Sequence, residues 1–115
     1  HGIEIQTAAR YGLKNIIFVV VNNKAHGNPK LRFNGSSENA EKLMDIVDHS
    51  WAGFAESLGL KAFTVTEPEA LSSTFDRALQ LESSVLIDVK CGLYPTPTKV
   101  FDETFMTEFN QYIEL

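Results

Sequence analysis

The chain has 115 residues, of which 43% are hydrophobic and 22% charged, with a formal net charge of -5. That length supports one domain with a real core, and the composition is that of an ordinary globular protein. The acidic balance and lack of a basic cluster argue against a surface that tracks nucleic-acid phosphates, and no apolar run approaches the roughly 20 residues of a membrane span.

Residues 1–12 read as a helix, with Ile3, Ile5, Ala8, Ala9 and Tyr11 as its apolar positions and Gly12 near its stop. Arg10 lies in the last turn, where a cation complements the helix dipole. The chain starts at His1 without methionine, and no strand precedes this helix. Complete α/β domains more often open on a strand, so the expectation is a fragment or a processed chain. Residues 15–21 (NIIFVVV) lack polar alternation and read as a parallel strand covered by helices on both faces. Residues 22–37 read as a long loop carrying Lys24, Lys30 and Arg32, and loops of that length are usually functional or mobile.

Residues 38–46 are compatible with a short helix capped by Ser37. Residues 48–58 form a clearer one, with Trp51, Phe54, Ala55 and Leu58 as an apolar stripe and Gly59 as the stop. Residues 61–66 (KAFTVT) are a short β-branched strand. Pro68 suits a first helical turn with Thr66 or Glu67 as cap. The helix over 69–81 would turn Leu71, Phe75, Ala78 and Leu79 to the core. Residues 84–90 (SVLIDVK) are the third strand, and Asp88 interrupts its apolar run. A loop stiffened by Pro95 and Pro97 follows, then a helix over 102–113 with Phe105, Phe109 and Ile113 on one face. Strands alternating with helices predict an α/β fold, a three-layer sandwich with a mainly parallel sheet and helices on both faces.

Asn22 and Asn23 stand at the carboxyl end of the first strand, where open α/β sheets place ligands. An amide oxygen is a hard neutral donor that suits Mg²⁺ or Ca²⁺. One amide is no metal site, and no acidic residue follows the pair until Glu38, so the residues by themselves favour asparagines that hydrogen-bond the loop. His26 reads as a solvated loop residue or a proton shuttle, Asp88 as a buried paired acid or one turned to the sheet end, and His49 as structural. Lys24, Lys30 and Arg32 are either solvated or a draw for a substrate carboxylate or phosphate. Cys91 has no internal disulfide partner, which fits a reducing compartment and a cytoplasmic location, and no signal peptide is visible.

Several stretches in order are similar to one family. EIQTAARYGL, ending at Leu13, precedes a buried strand and then Asn22-Asn23-Lys24-Ala25-His26-Gly27. DHSWAGFAESLG at 48–59, the helix over 66–81 and the strand over 84–89 follow. Together they resemble the diphosphate-binding domain of thiamine-diphosphate enzymes, in the acetolactate synthase and pyruvate decarboxylase group. The resemblance implies one partial cofactor-binding domain over 1–115, with thiamine diphosphate and Mg²⁺ as cofactors. It implies that Asn23 ligates Mg²⁺ through its side-chain oxygen and Ala25 through its carbonyl. Asn22 would fix the turn, and His26 and Gly27 would line the cofactor, Gly27 allowing close approach of backbone to the phosphates.

Two parts of the family pattern are missing from this chain. The Gly-Asp-Gly motif, whose aspartate is the charged metal ligand, would lie before His1, and the catalytic glutamate belongs to a separate domain. The resemblance therefore implies a parent decarboxylase or carboligase acting on a 2-oxo acid, a site shared with other domains of a homo-oligomer, and no activity in this chain alone. The rival expectations are a truncated or degenerate α/β domain acting only in oligomer contact, and another α/β ligand-binding domain. Neither G-x-G-x-x-G nor G-x-x-x-x-G-K-S/T occurs to support the last.

Overall fold

The computed structural model describes residues 2–27 and 38–92. His1, Lys30, Arg32, the rest of the expected loop at 28–37, the proline-stiffened segment and the helix expected over 102–113 lie outside the described residues. The chain runs α1 (Ile3–Arg10), β1 (Ile17–Asn22), α2 (Glu38–Leu43), α3 (Trp51–Ser57), β2 (Lys61–Val65), α4 (Ala70–Leu79) and β3 (Val85–Lys90). The strands form one parallel sheet in the order β1-β3-β2. Ile17 and Lys61 flank Val85, and at the other end Asn22 lies beside Lys90.

Side chains alternate across the sheet, and the central strand separates the two faces. Leu86 faces α1 and α3, where Ile5, Ala8, Ala55 and Leu60 close over it. Val85 and Ile87 face the other way, packed with Val65 and with Ala78 of α4. Helices thus cover both faces of a parallel sheet, the expected three-layer α/β arrangement. The guanidinium of Arg77 lies 4.6 Å from the centre of the Phe63 ring, so the charged end of that α4 side chain covers β2.

Both glycines read as helix stops close a Schellman motif. After α1, Leu13 N bonds to Ala8 O at 2.9 Å and Gly12 N to Ala9 O at 3.1 Å, with Gly12 at φ 58. After α3, Leu60 N bonds to Ala55 O and Gly59 N to Glu56 O, each at 3.0 Å, with Gly59 at φ 92. At each stop the positive φ requires a residue without Cβ, or one that tolerates strain. α3 begins at Trp51 rather than Asp48, because Ser50 is its cap: Gly53 N donates to Ser50 Oγ at 3.0 Å. Asp48 and His49 are thereby left outside the helix.

Two expectations about burial change, and one about where the first strand begins. β1 is not covered on both faces, since Val19 is 44% and Val21 69% exposed. The reason is position: among the described residues β1 lies at the edge of the sheet, and of its residues on that face only Ile17 reaches the cluster under α4. Leu79, expected in the core, is 69% exposed at the end of α4. Thr74 is buried instead, and its hydroxyl donates to Ala70 O at 2.7 Å, so a polar residue sits inside by bonding its own helix. Asn15, expected to open the strand, has φ 62 and belongs to the preceding turn. Among the described residues no helix is long and apolar enough to cross a membrane.

The contrast between Leu86 and Leu79 is measurable. Leu86 is fully buried on the central strand, so Leu86→Ala should lower stability by about 2–5 kcal/mol. Leu79→Ser should change it by less than about 0.5 kcal/mol. Urea unfolding of the two variants beside the parent chain checks both.

Candidate functional site

β1 ends on Asn22, at the carboxyl edge of the sheet. Its side chain is buried, 6% exposed, and each end of the amide is used. Nδ2 donates to Asp88 Oδ1 at 3.3 Å and to the His49 carbonyl at 3.2 Å, while Oδ1 accepts from Lys24 N at 3.3 Å. One residue on, Asn23 Oδ1 accepts from Ala25 N at 3.1 Å. Two asparagine side chains in succession therefore bond the backbone two residues ahead, and Lys24, directly after the pair, sits at φ 57. Asparagine at such positions stabilises turns through this bond. The left-handed conformation of a lysine costs on the order of 1–2 kcal/mol, which the paired turns offset.

A short antiparallel bridge between Ala25 and Asp45 holds the far side of the turn. Its bonds run from His26 N to Met44 O and from Ile46 N to Lys24 O, both 2.8 Å. The flanking residues make them, so the carbonyl of Ala25 itself takes no part in the bridge. Asn23, Ala25 and Gly27 are half-buried and His26 is exposed, so the four residues expected to meet the cofactor and its metal are contiguous on this turn. Lys24, one of the three basic loop residues, pairs with Asp48 at 3.1 Å.

Asp88 is the paired buried acid of the two readings given for it. It is 0% exposed, and besides Asn22 its carboxylate accepts from Trp51 N at 3.0 Å and pairs with Lys90 Nζ at 3.1 Å. The three N–H groups of Lys90 meet three acceptors: Asp88, Asp48 Oδ1 at 2.8 Å and the His49 carbonyl at 2.8 Å. Charges thus alternate from the interior outwards, Asp88, Lys90, Asp48, Lys24, and the chain of contacts returns to the turn it started from. Lys90 and Asp48 were not singled out by sequence. The available signal was that Asp88 and Lys90 lie two apart in one strand and so share a face. Their partner in segment 48–50 becomes visible only in three dimensions.

Cys91 is a free, half-buried thiol whose amide donates to Asn22 O at 3.0 Å. It lines a separate cleft of about 380 Å³ with Val65, Pro68, Leu71 and Val89. The described residues contain no group of three or more His, Cys, Asp or Glu able to hold a metal ion. What the turn offers is a pair of neutral oxygens, the Asn23 amide and the Ala25 carbonyl. Such a donor set fits Mg²⁺ only where anionic oxygens, those of a diphosphate for instance, complete the coordination.

Hydrogen bonds from Lys90 and then Lys24 hold the carboxyl of Asp48 below its usual range. The hydrogen bond to Asp48, more than the one to Asp88, holds the Lys90 ammonium above its ordinary value against the opposing effect of desolvation. A carboxylate with a lowered folded value stabilises above its unfolded value of about 3.9 and loses that contribution as pH falls through the folded value. A lysine with a raised value contributes fully below about 10.4 and loses it as pH rises through the folded value. The network should therefore be intact from about pH 4 to about pH 10. Asp48→Asn should be less stable than the parent at neutral pH, and the gap should close as pH falls from the unfolded value of about 3.9 through the lowered folded value; urea unfolding at a series of pH values measures it.

Two comparisons bear on what this turn serves. The family model described as "Thiamine pyrophosphate enzyme, C-terminal TPP binding domain" matches residues 1–89. The Bacillus subtilis (strain 168) protein YdaP, whose name describes a thiamine pyrophosphate-containing protein, is 33% identical over 94 residues, covering 80% of this chain. The chain spans 16% of the length of that relative. The family match takes in β1, the asparagine turn, α3, β2, α4 and most of β3. The chain belongs to the thiamine pyrophosphate enzymes, as part of their C-terminal TPP-binding domain.

Proposed function

We propose that the turn after β1 helps bind the diphosphate of thiamine diphosphate through Mg²⁺, with Asn23 Oδ1 and the Ala25 carbonyl as the two ligands from this chain. The observation that carries the reading is the turn itself. It offers two hard oxygens at the carboxyl edge of a parallel sheet, on a backbone pinned from both sides. The carbonyl of Ala25, which takes no part in the bridge bonds, and the neutral donor set suit an ion whose charge is balanced by phosphate oxygens. His26 and Gly27 continue the backbone past the ligands and would line the cofactor.

In this reading the protein that carries the chain is a decarboxylase or carboligase of the acetolactate synthase type, acting on a 2-oxo acid. When bound, thiamine diphosphate would supply the electron sink that lets such a substrate lose its carboxylate as CO₂. This chain's residues bind and orient the diphosphate end. Further domains, and a second subunit of a homo-oligomer, complete the site. A second reading, a domain that acts only in subunit contact, draws on the exposed Val19 and Val21 of the edge strand β1.

Calorimetry on the full-length protein separates the two. Thiamine diphosphate should bind in the presence of Mg²⁺ and lose that binding in excess EDTA. Asn23→Ala should weaken the Mg²⁺-dependent affinity by about tenfold or more, near 1.4 kcal/mol. Unchanged affinity in the variant would remove Asn23 as a ligand, and an absence of metal-dependent binding in the parent would leave the contact reading.

A further inference from the structure

We propose that Asp88 is a positioning residue for the metal-binding turn: its buried carboxylate holds the Asn22 amide in the orientation that builds the turn carrying Asn23 and Ala25. The proposal rests on the reading of that turn as a Mg²⁺–diphosphate site.

The argument is one of donors and acceptors. A side-chain amide has a donor end and an acceptor end, and its orientation follows from the groups around it. The Nδ2 end of Asn22 faces two acceptors, Asp88 Oδ1 at 3.3 Å and the His49 carbonyl at 3.2 Å. Turned about, the amide would set its oxygen against both and present an NH₂ to the N–H of Lys24. With the carboxylate in place, Oδ1 can only face Lys24 N, and that bond holds the left-handed residue on which the turn pivots. Asp88 in turn has little freedom. It is 0% exposed on the central strand, and Trp51 N and Lys90 Nζ hold its other oxygen. The carboxylate thus carries the position of the sheet and of the start of α3 to a turn it does not itself belong to. It stands behind Asn22, not at the ligand; its other route to the turn, through Lys90 and Asp48, ends on the Lys24 side chain and not on the turn's backbone.

The test uses the full-length protein with two readouts. One is the Mg²⁺ concentration needed for half-saturation at fixed thiamine diphosphate. The other is hydrogen exchange at the Lys24 and Ala25 amides without metal. Asp88→Ala and Asn22→Ala should each raise the Mg²⁺ requirement about tenfold and speed exchange at both amides about tenfold or more. The double variant should do no worse than either single one, because both remove the same link. Leu86→Ala, which weakens the same strand but removes neither group of the polar link, should leave the Mg²⁺ requirement unchanged.

Additive losses near a hundredfold, an unaltered Mg²⁺ requirement in Asp88→Ala, or an equal shift in Leu86→Ala would each overturn the proposal. If Asp88→Ala does not fold, Asn22→Ala decides alone: a normal Mg²⁺ requirement overturns it. A parent protein that binds no Mg²⁺ would sink the metal reading instead, while the exchange data would still report whether Asp88 holds the turn.

Discussion

A carboxylate buried in a parallel sheet is stable only if its lone pairs are occupied. Asp88 meets that condition with donors from three separate segments: the amide of Asn22 on β1, the backbone N–H of Trp51 at the start of α3, and Lys90 two residues ahead on its own strand. Each donor fixes a different part of the molecule, so the requirement to satisfy one charge sets how the edge strand ends, where the helix begins and how Lys90 is directed. Lys90 then spends its remaining donors on Asp48 and the His49 carbonyl, which draws the segment before α3 against the turn. Removing one member would leave the others facing a buried partner that cannot bond, which is why such networks act as units.

The two ends of the sheet are built on different principles. At the amino edge, the Schellman turns at Gly12 and Gly59 deliver the chain from helix to strand with no side-chain polarity required. Ser84 reinforces that edge, its hydroxyl and amide both donating to the Leu13 carbonyl at 2.7 and 3.0 Å. At the carboxyl edge the apolar run Val85–Leu86–Ile87 gives way to Asp88, and polar contacts take over the packing. That edge is where parallel sheets offer ligands a crevice. The asparagine turn lies there, with its backbone held by side-chain oxygens on one side and the Ala25–Asp45 bridge on the other. A turn restrained in this way presents oxygens in fixed positions, as a small hard cation requires.

Much of this was legible in the chain itself, and the failures share a cause. The helices, the strands and both glycine stops follow from local periodicity and from the φ freedom of glycine, which depend on neighbours within a few residues. The motif order EIQTAARYGL, then strand, then Asn-Asn pointed to the family, and the family model matches the same region. Burial was misread at Val19, Val21 and Leu79 because exposure depends on where a strand or helix lies in the sheet, and an apolar residue at an edge looks the same in sequence as one at the centre.

The sequence by itself determined the α/β class, the order of the described elements and the position of the two asparagines at a strand end, because each is set by local propensity and pattern. Only the tertiary structure decided that β3 lies between β1 and β2, and therefore that Asp88 meets Asn22 across 66 positions. The pairing of Lys90 with Asp48 and the choice of Ser50 as helix cap were settled in the same way. Those outcomes come from satisfying buried donors and acceptors among segments far apart in the chain, a condition that no local window contains.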